Sequence, residues 1–215
     1  MSLLDKRFVV SHLTHKDPWC WSHGSAENSE DLGAGILYYA LAYSLKARTC
    51  VCLGSGGGFV PRLMRQAQRD LGLTDARTVL VDGAGEVEAE ERRIWGKPCW
   101  TEEDSTLRQK YPEVEIVRSL TRTAFESVFR PAGTAIDFLH IDADHHYEGV
   151  RQDFELYSTL VANGGVITLH DTHNFRPPCG VPRLVEELRA EGRWGVVDLA
   201  ISFGTALVQR LPERA

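Results

Sequence analysis

The chain has 215 residues, of which 43% are hydrophobic, and its formal net charge at pH 7 is −6. This length supports one well-cored α/β domain and excludes two domains of ordinary size. The acidic balance gives no electrostatic reason to bind nucleic acid or an anionic membrane, so we expect neither partner and favour a small neutral or cationic substrate.

The sequence shows neither the pattern of a membrane span or secretory signal nor a cysteine motif. No apolar stretch approaches the roughly 20 residues of a membrane span. The first ten residues, MSLLDKRFVV, lack the long apolar core of a secretory signal, so we expect a cytoplasmic protein. The five cysteines are odd in number and form no C-x-x-C pair, which indicates neither a disulfide framework nor a structural zinc site.

Residues 1–30 are polar and irregular, and we predict that they form an N-terminal segment ahead of one domain that spans residues 31–215. The stretch Trp19–Ser25 contains two tryptophans and a histidine. Tryptophans favour a packed position, so we predict that this stretch folds over the site as a lid, with packing against an edge of the domain as the alternative. The apolar spacing of Leu32–Leu45 then predicts a helix.

A glycine-rich loop follows the first predicted strand, Thr49–Leu53, and precedes a helix predicted over Val60–Leu71. Glycines at this place let the chain turn sharply and present backbone amides to a ligand at a helix N-terminus. The last position of a dinucleotide motif, G-x-G-x-x-G, is Phe59 here, which argues against a pyrophosphate. A plain tight turn is the alternative. The candidate cofactor-binding residues of the loop are Gly54, Ser55, Gly56, Gly58 and Phe59.

Two further strands deliver polar residues to their carboxyl ends. The strand Thr78–Val81 ends at Asp82, where α/β nucleotide sites place the acid that binds the ribose hydroxyls. The strand Glu113–Val117 is followed by Ser119, which is a candidate neighbour of an adenine ring. Alternatively, Ser119 caps the helix predicted over Ala124–Phe129.

The stretch Ala135–Tyr147, AIDFLHIDADHHY, has the apolar pattern of a buried strand and then places four ionisable residues within five positions. These residues are Asp142, Asp144, His145 and His146. A helix predicted over Glu148–Val161, a turn at Gly164-Gly165 and a strand over Val166–Leu169 come next, and this strand ends at His170 and Asp171.

The two strand ends together predict a binding site. Ligands of open parallel sheets bind at the carboxyl ends of the strands. Adjacent strands lie about 4.8 Å apart, so Asp142 and Asp171 converge on one cation if their strands are neighbours. The alternative is that Asp144 or Asp171 caps a following helix or turn. A helix over Val181–Glu191 and the strands Trp194–Leu199 and Thr205–Gln209 complete the predicted elements.

The order of these elements, with GSGGGF, Asp82, HIDADHHYEGV and GGVITLHDT, resembles the class I S-adenosylmethionine-dependent methyltransferases. More narrowly, it resembles a group of bacterial O-methyltransferases that modify sugars and polyketide-type natural products, and its site design is similar to that of the divalent-metal catechol methyltransferases. The resemblance covers about residues 30 to 210. It implies an α/β, Rossmann-like fold, with a seven-stranded, mostly parallel sheet, helices on both faces and an antiparallel last strand.

By position, the resemblance implies that Gly54–Gly58 hold the amino-acid part of S-adenosylmethionine, Asp82 its ribose and Ser119 the surroundings of its adenine. Asp142 is a candidate for both the donor site and the metal site. The implied ligands of a divalent cation, Mg²⁺ or Mn²⁺ or another ion, are Asp142, His170 and Asp171. Related enzymes carry a carboxylate where this chain has His170. Imidazole suits Zn, Fe, Ni or Cu better than Mg, so His170 puts Mg²⁺ itself in question.

We therefore expect an O-methyltransferase for a small-molecule hydroxyl of sugar or natural-product type, in which a divalent cation orients the acceptor and lowers its pKa. A homodimer is the default expectation. The alternatives are a non-catalytic S-adenosylmethionine-binding protein, a metal-independent methyltransferase and a nicotinamide-dependent oxidoreductase, which Phe59 disfavours.

His145 is the predicted general base, and Asp144 is the second predicted catalytic residue. His145 follows Asp142 by three residues, so the two side chains point to the same side of a helical turn. An imidazole with a pKa near 6.5 accepts a hydroxyl proton at neutral pH. His146 is the rival, and we expect it to point about 100° away around the helix. A satisfied polar turn is the alternative for both histidines.

Overall fold

The computed structural model of this protein describes residues 5–14, 20–24, 31–83 and 99–211. The sheet in this part of the chain has seven strands, and six of them lie within a few residues of the predicted ranges. They are β1 Thr49–Leu53, β2 Arg77–Asp82, β3 Glu115–Arg118, β4 Ile136–Ile141, β5 Val161–His170, β6 Trp194–Leu199 and β7 Thr205–Arg210.

The helices of the described residues connect these strands. They are α1 Lys6–Phe8, α2 Gly35–Ser44, α3 Phe59–Asp70, α4 Thr106–Lys110, α5 Thr121–Ala124, α6 Arg130–Ala132, α7 Tyr147–Tyr157 and α8 Val181–Glu191. A π-helical segment, Val9–Thr14, continues α1, and another, Phe125–Phe129, joins α5 to α6. Short 3₁₀ turns occur at Cys20–His23, Cys99–Thr101 and Ser158–Leu160. Helix α8 has the predicted bounds, because Pro182 suits a first turn and Gly192, with φ 69°, ends the helix.

The strand order is β3-β2-β1-β4-β5-β7-β6, and β7 runs antiparallel to both β5 and β6. The other pairings of β1 to β5 are parallel. Leu53 pairs with Ile141, and Ile141 pairs with Leu169, so the carboxyl ends of β1, β4 and β5 are level. The predicted Rossmann-like α/β fold with an antiparallel last strand is therefore confirmed, as is the adjacency of the two acid-bearing strands.

Two apolar clusters fill the two faces of the sheet. On one face, β1 and β4 residues pack against α2, α3 and the π segment at Val9–Thr14. On the other, residues of β1, β2, β4 and β5 pack against α7, α8 and the helical segment that begins at α5. Alternate residues of a strand point to opposite faces, so Phe138 belongs to the first cluster and its neighbour Leu139 to the second.

Two sequence predictions need correction. The turn predicted at Gly164-Gly165 is part of strand β5, which is longer than the predicted Val166–Leu169. Its pairing with β4 shifts register between Ile136 and Phe138, and Gly164 takes φ 82°, so the glycines allow an irregular strand rather than a reversal. Helix α2 begins at Gly35 rather than Leu32. No helix among the described ranges is long and apolar enough to cross a membrane.

Candidate active site

The glycine loop after β1 is packed directly against the chain that leaves β4. The Gly54 amide donates to the Val81 carbonyl at 2.8 Å, and the Asp142 amide donates to the Leu53 carbonyl at 2.8 Å. Gly54 has φ 75°, and a Cβ at this position would collide with the backbone carbonyl of Asp142. Glycine is therefore required at Gly54 both for its dihedral angle and for the close approach of the two strand ends.

The end of the glycine loop leads directly into helix α3. Gly58 precedes the helix with φ 75°, in the left-handed region that a glycine adopts readily. Phe59 is the first helical residue and is buried. Its ring stacks on the His23 ring with 5.4 Å between centroids, which joins the glycine loop to the N-terminal segment.

Asp82 is held at the end of β2 by two hydrogen bonds to one of its oxygens. The Ser55 amide donates to Asp82 Oδ2 at 3.3 Å, and the Trp100 indole N–H donates to the same oxygen at 3.0 Å. Trp100 is fully buried, and the sequence did not indicate that it contacts the donor site. The structure therefore brings the predicted ribose acid and the glycine loop together and adds a tryptophan that fixes the acid.

Ser119 lies beside Asp82 at the end of β3. The Ser119 amide donates to the Asp82 backbone carbonyl at 3.2 Å, so both predicted donor residues lie at one edge of the sheet. The alternative role of Ser119 as a helix cap is not what the structure has, because α5 is preceded by Leu120 and has no side-chain cap.

Four ionisable side chains meet where β4 and β5 end. His145 Nε2 lies 3.1 Å from Asp142 Oδ1 and 3.3 Å from Asp171 Oδ2. His170 Nδ1 lies 3.2 Å from Asp142 Oδ1 and 3.9 Å from Asp171 Oδ1. The predicted base therefore lies between both carboxylates, and the three predicted metal ligands, Asp142, His170 and Asp171, are gathered in one place.

The charges of this group shift its pKa values. Burial lowers the pKa of His170, but the charge and the hydrogen bond of Asp142 outweigh it and bring the pKa to about 9. Burial also opposes charge on His145, yet the hydrogen bond and charge of Asp142 give a net rise in its pKa. The same imidazoles hold the pKa of Asp142 well below its usual value despite burial. Two buried carboxylates thus favour nearby positive charge, from imidazolium or from a cation.

The described part of the N-terminal segment packs on this group. His170 Nε2–H donates to the Ser22 carbonyl at 3.1 Å, and His23 Nε2 lies 3.9 Å from Asp142 Oδ2. The Ala34 amide donates to the His23 carbonyl at 2.7 Å, which ties the segment to the start of α2. The predicted lid, Trp19–Ser25, extends beyond the described residues at both ends, and its movement stays a prediction.

Asp144 and His146 lie outside the group. Asp144 Oδ1 accepts from the His146 amide at 2.9 Å and makes a 2.8 Å hydrogen bond with His146 Nδ1. Both side chains are about half exposed, at 48% and 52%. Asp144 therefore stabilises the turn before α7, as the capping alternative states, and its catalytic role stays a prediction. His146 points outward as expected, while His145 points inward.

Two histidines near Asp142 had no predicted role. His140 is fully buried within β4, and His23 is 5% exposed. Their positions lie 117 residues apart in the chain, so local pattern gave no sign that they meet. One signal was available for His140, because it is an imidazole between Leu139 and Ile141 in a strand that is otherwise apolar and buried at its carboxyl end.

The sheet order and the site define a class of protein. A glycine loop after β1, an acid after β2 and acids after β4 and β5, on a seven-stranded sheet with an antiparallel β7, form the architecture of class I S-adenosylmethionine-dependent methyltransferases. The sequence profile of a protein family described as "Methyltransferase domain" matches residues 51–172, which is more than half of the chain. The chain belongs to this family, and the predicted class of enzyme is confirmed.

Solved structures show the same fold. The O-methyltransferase TomG from Streptomyces achromogenes, in complex with S-adenosylmethionine, is 17% identical with a TM-score of 0.62, and the match covers 96% of each chain. An O-methyltransferase from Bacillus cereus, in complex with S-adenosylhomocysteine, is 17% identical with a TM-score of 0.60 and 96% of each chain covered. The S-adenosylhomocysteine-bound Podospora anserina methyltransferase PaMTH1 is 14% identical, with a TM-score of 0.61 over 90% of this chain and 86% of that one. Curated protein sequences gave no match.

Proposed function

We propose that this protein is an O-methyltransferase that transfers the methyl group of S-adenosylmethionine to a hydroxyl of a small molecule with the help of a divalent cation. The observation that carries the proposal is the close packing of Gly54 on the Asp142 backbone. It joins the candidate donor loop to the acid and histidine group without an intervening layer. Donor and acceptor sites that adjoin in this way allow direct in-line transfer.

The donor half of the proposal rests on the glycine loop, Asp82 and Ser119. Trp100 and the Ser55 amide hold one oxygen of Asp82, which restricts the carboxylate to one orientation. A carboxylate so placed binds the two ribose hydroxyls with charge-assisted hydrogen bonds. The backbone of the loop, which lies at the N-terminus of α3, accommodates the amino-acid end of the donor.

The acceptor half rests on His145. The acceptor oxygen forms a bond to the methyl carbon as the bond from that carbon to sulfur breaks. The sulfur keeps the electron pair and becomes a neutral thioether, and the acceptor proton passes to His145 Nε2. His145 acts as a base when it is unprotonated, and this requires that other positive charge balance Asp142 and Asp171. We infer that this is why the site takes a divalent cation.

The residues present fit such a cation. Asp142, His145 and Asp171 each offer a ligand atom within 4.8 Å of the others, and so do His23, Asp142 and His170. His170 also donates its Nε2–H to a backbone carbonyl, which leaves Nδ1 as the ligand atom, an arrangement usual for metal-bound histidines. His170 Nδ1 lies 3.2 Å from Asp142 Oδ1 and 3.9 Å from Asp171 Oδ1. With these three residues as ligands and His145 left as the base, the ion would supply a Lewis acid that lowers the pKa of the acceptor hydroxyl.

The acceptor class is part of the proposal. TomG is described as involved in tomaymycin synthesis, which supports a natural-product acceptor for this chain as well. We infer from the irregular sequence of Trp19–Ser25, Trp95–Trp100 and Asn174–Gly180 that these segments form the acceptor pocket, and parts of the first two lie outside the described residues. Homodimer formation and a cytoplasmic location stay predictions.

The test has a binding step and a transfer step. S-adenosylhomocysteine at 100 times its dissociation constant should stabilise the fold against unfolding by roughly 2.7 kcal/mol, and NAD should not. Methyl transfer from labelled S-adenosylmethionine is then measured with a panel of catechols, sugars and polyketide-type phenols, with Mn²⁺ or Mg²⁺ present. Stabilisation by NAD alone would refute the donor assignment. Donor binding without transfer to any acceptor would favour a non-catalytic binding protein.

A further inference from the structure

Three buried histidines from three separate elements lie under Asp142 on the side of the sheet that packs against α2 and α3. His23 comes from the N-terminal turn, His140 from β4 and His170 from the end of β5, with exposed fractions of 5%, 0% and 3%. Their rings are close to one another, with centroids 4.2 Å apart for His23 and His170 and 6.1 Å apart for His23 and His140. Polar side chains are rarely collected in a core without a ligand or a full set of partners.

Each of these rings has one nitrogen fixed by a partner. His170 Nε2–H donates to the Ser22 carbonyl at 3.1 Å. His23 Nδ1 makes a 3.2 Å hydrogen bond with the Tyr38 hydroxyl, and His140 Nδ1 makes a 2.8 Å hydrogen bond with Thr168 Oγ1. Such outer contacts hold the tautomer and orientation of histidines that bind metals.

The other nitrogen of each ring faces the Asp142 carboxylate. The distances from the Asp142 oxygens are 3.2 Å for His170 Nδ1, 3.9 Å for His23 Nε2 and 4.0 Å for His140 Nε2. His140 Nε2 is buried and has no hydrogen-bond partner among the described residues. A ring nitrogen 4.0 Å from a carboxylate does not form a hydrogen bond with it, so the direct contact leaves His140 unsatisfied.

The spacing of three of these residues suits a metal ion between them, because His23, Asp142 and His170 each offer a ligand atom within 4.8 Å of the others. A tetrahedral ion with ligands at about 2.1 Å sets neighbouring ligand atoms roughly 3.4 Å apart, close to the 3.2 Å and 3.9 Å that separate His170 Nδ1 and His23 Nε2 from the Asp142 carboxylate. Nitrogen-rich sites favour transition metals over Mg²⁺.

We infer that His23, His170 and Asp142 form a site for a transition-metal ion, with the unpartnered His140 Nε2 facing the same carboxylate from within β4 and a fourth coordination position left open. The inference rests on the proposed divalent cation. It differs from the proposed ligand set in that His23 takes the place of Asp171, and it identifies the ion as a transition metal rather than Mg²⁺. Asp171 and His145 then remain on the open side of Asp142, toward the acceptor. The N-terminal segment also gains a function, since it contributes His23 as a ligand and Ser22 as the partner that orients His170.

The test measures metal binding apart from catalysis. The full chain is stripped with a strong chelator and titrated with Co²⁺, whose visible absorption reports nitrogen ligands and geometry, and the metal content of the untreated protein is determined by mass spectrometry. We expect one transition-metal ion per chain, visible Co²⁺ bands, displacement of Co²⁺ by Zn²⁺ and no displacement by excess Mg²⁺.

Variants then locate the ion. His23→Gln should lower Co²⁺ affinity by more than the 10- to 100-fold that the loss of an outer contact alone costs, and His140→Gln should lower it by no more than that. His146→Gln, at an exposed histidine, is the control and should stay within a few-fold of the parent chain. His23 lies in a turn outside the sheet, so its variant remains informative if His140→Gln fails to fold.

Several outcomes would overturn the inference. They are a parent chain without bound metal or Co²⁺ bands, unchanged affinity in the His23 variant, or a loss in Asp171→Asn as large as that in His23→Gln. The last result would move the ion to the ligand set predicted from sequence. Calorimetry with S-adenosylhomocysteine runs in parallel, because loss of donor binding by the parent chain would contradict the proposed function and not the metal site.

Discussion

Replacing the buried Asp153 by asparagine should change how the stability of this protein depends on pH. Asp153 lies on α7 and is 1% exposed. Its Oδ2 has no hydrogen-bond partner among the described residues, although the carboxylate interacts with Thr121 at the start of α5. Burial raises the pKa of Asp153 from 3.8 to about 7, because an ionised carboxylate is poorly solvated there.

The direction of the effect follows from proton linkage. Between the unfolded and folded pKa values, the folded state binds more protons than the unfolded state, so the free energy of unfolding falls as the pH rises. The slope is about 1.4 kcal/mol per pH unit for one group, and the loss is complete above the folded pKa. Between about pH 5 and about pH 8, the ionisation of Asp153 should therefore lower the free energy of unfolding by roughly 2.5 kcal/mol.

The assay is urea unfolding of the parent chain and of Asp153→Asn across this pH range. The asparagine adds a constant offset, because it does not titrate, so the difference between the two curves isolates the carboxyl group. We expect this difference to shift in favour of the variant by roughly 2.5 kcal/mol from about pH 5 to about pH 8. Asp75→Asn, at an exposed aspartate, should show no such shift. Parallel curves for the parent chain and Asp153→Asn would refute the reasoning.

Three further predictions concern the site. His145→Ala should lower the rate of methyl transfer by roughly 10²- to 10⁴-fold, while donor affinity measured by calorimetry stays within a few-fold. His146→Ala should lower the rate far less. Equal losses of rate in the two variants would contradict the assignment of His145 as the base. Exhaustive chelation should abolish turnover, and added Mn²⁺ should restore it, with the metal content of the protein measured at each step. Full activity of the metal-free protein would contradict the proposed role of a divalent cation. Gly54→Ala should lower the free energy of unfolding by well over the roughly 1 to 3 kcal/mol that left-handed backbone strain costs by itself. Gly72→Ala is the control, because Gly72 has a similar φ and nothing within 4 Å, so it should lose only the strain. Equal free energies of unfolding for the two variants would argue against the close packing at Gly54.

The order of elements was predictable from the sequence because it depends on local patterns. Thr49–Leu53, Trp194–Leu199 and Val181–Glu191 have the predicted bounds, since strand alternation, helical spacing and the flanking proline and glycine act over a few residues. Asp82, Asp142 and Asp171 were predicted at strand ends for the same reason. Gly164-Gly165 was misjudged because glycines permit both a turn and an irregular strand, and pairing with β4 decided between them.

The contacts of the candidate site depend on residues far apart in the chain. The His170 ring is held by Ser22, and Asp82 is held by Trp100, at separations of 148 and 18 residues. No local pattern encodes which distant side chain fills the space beside a given strand end, because that depends on strand order and on how each segment packs. The sequence by itself thus determined the fold and the positions of the acids. The tertiary structure decided that His145 turns inward and Asp144 outward, and that His23 and His140 meet at Asp142.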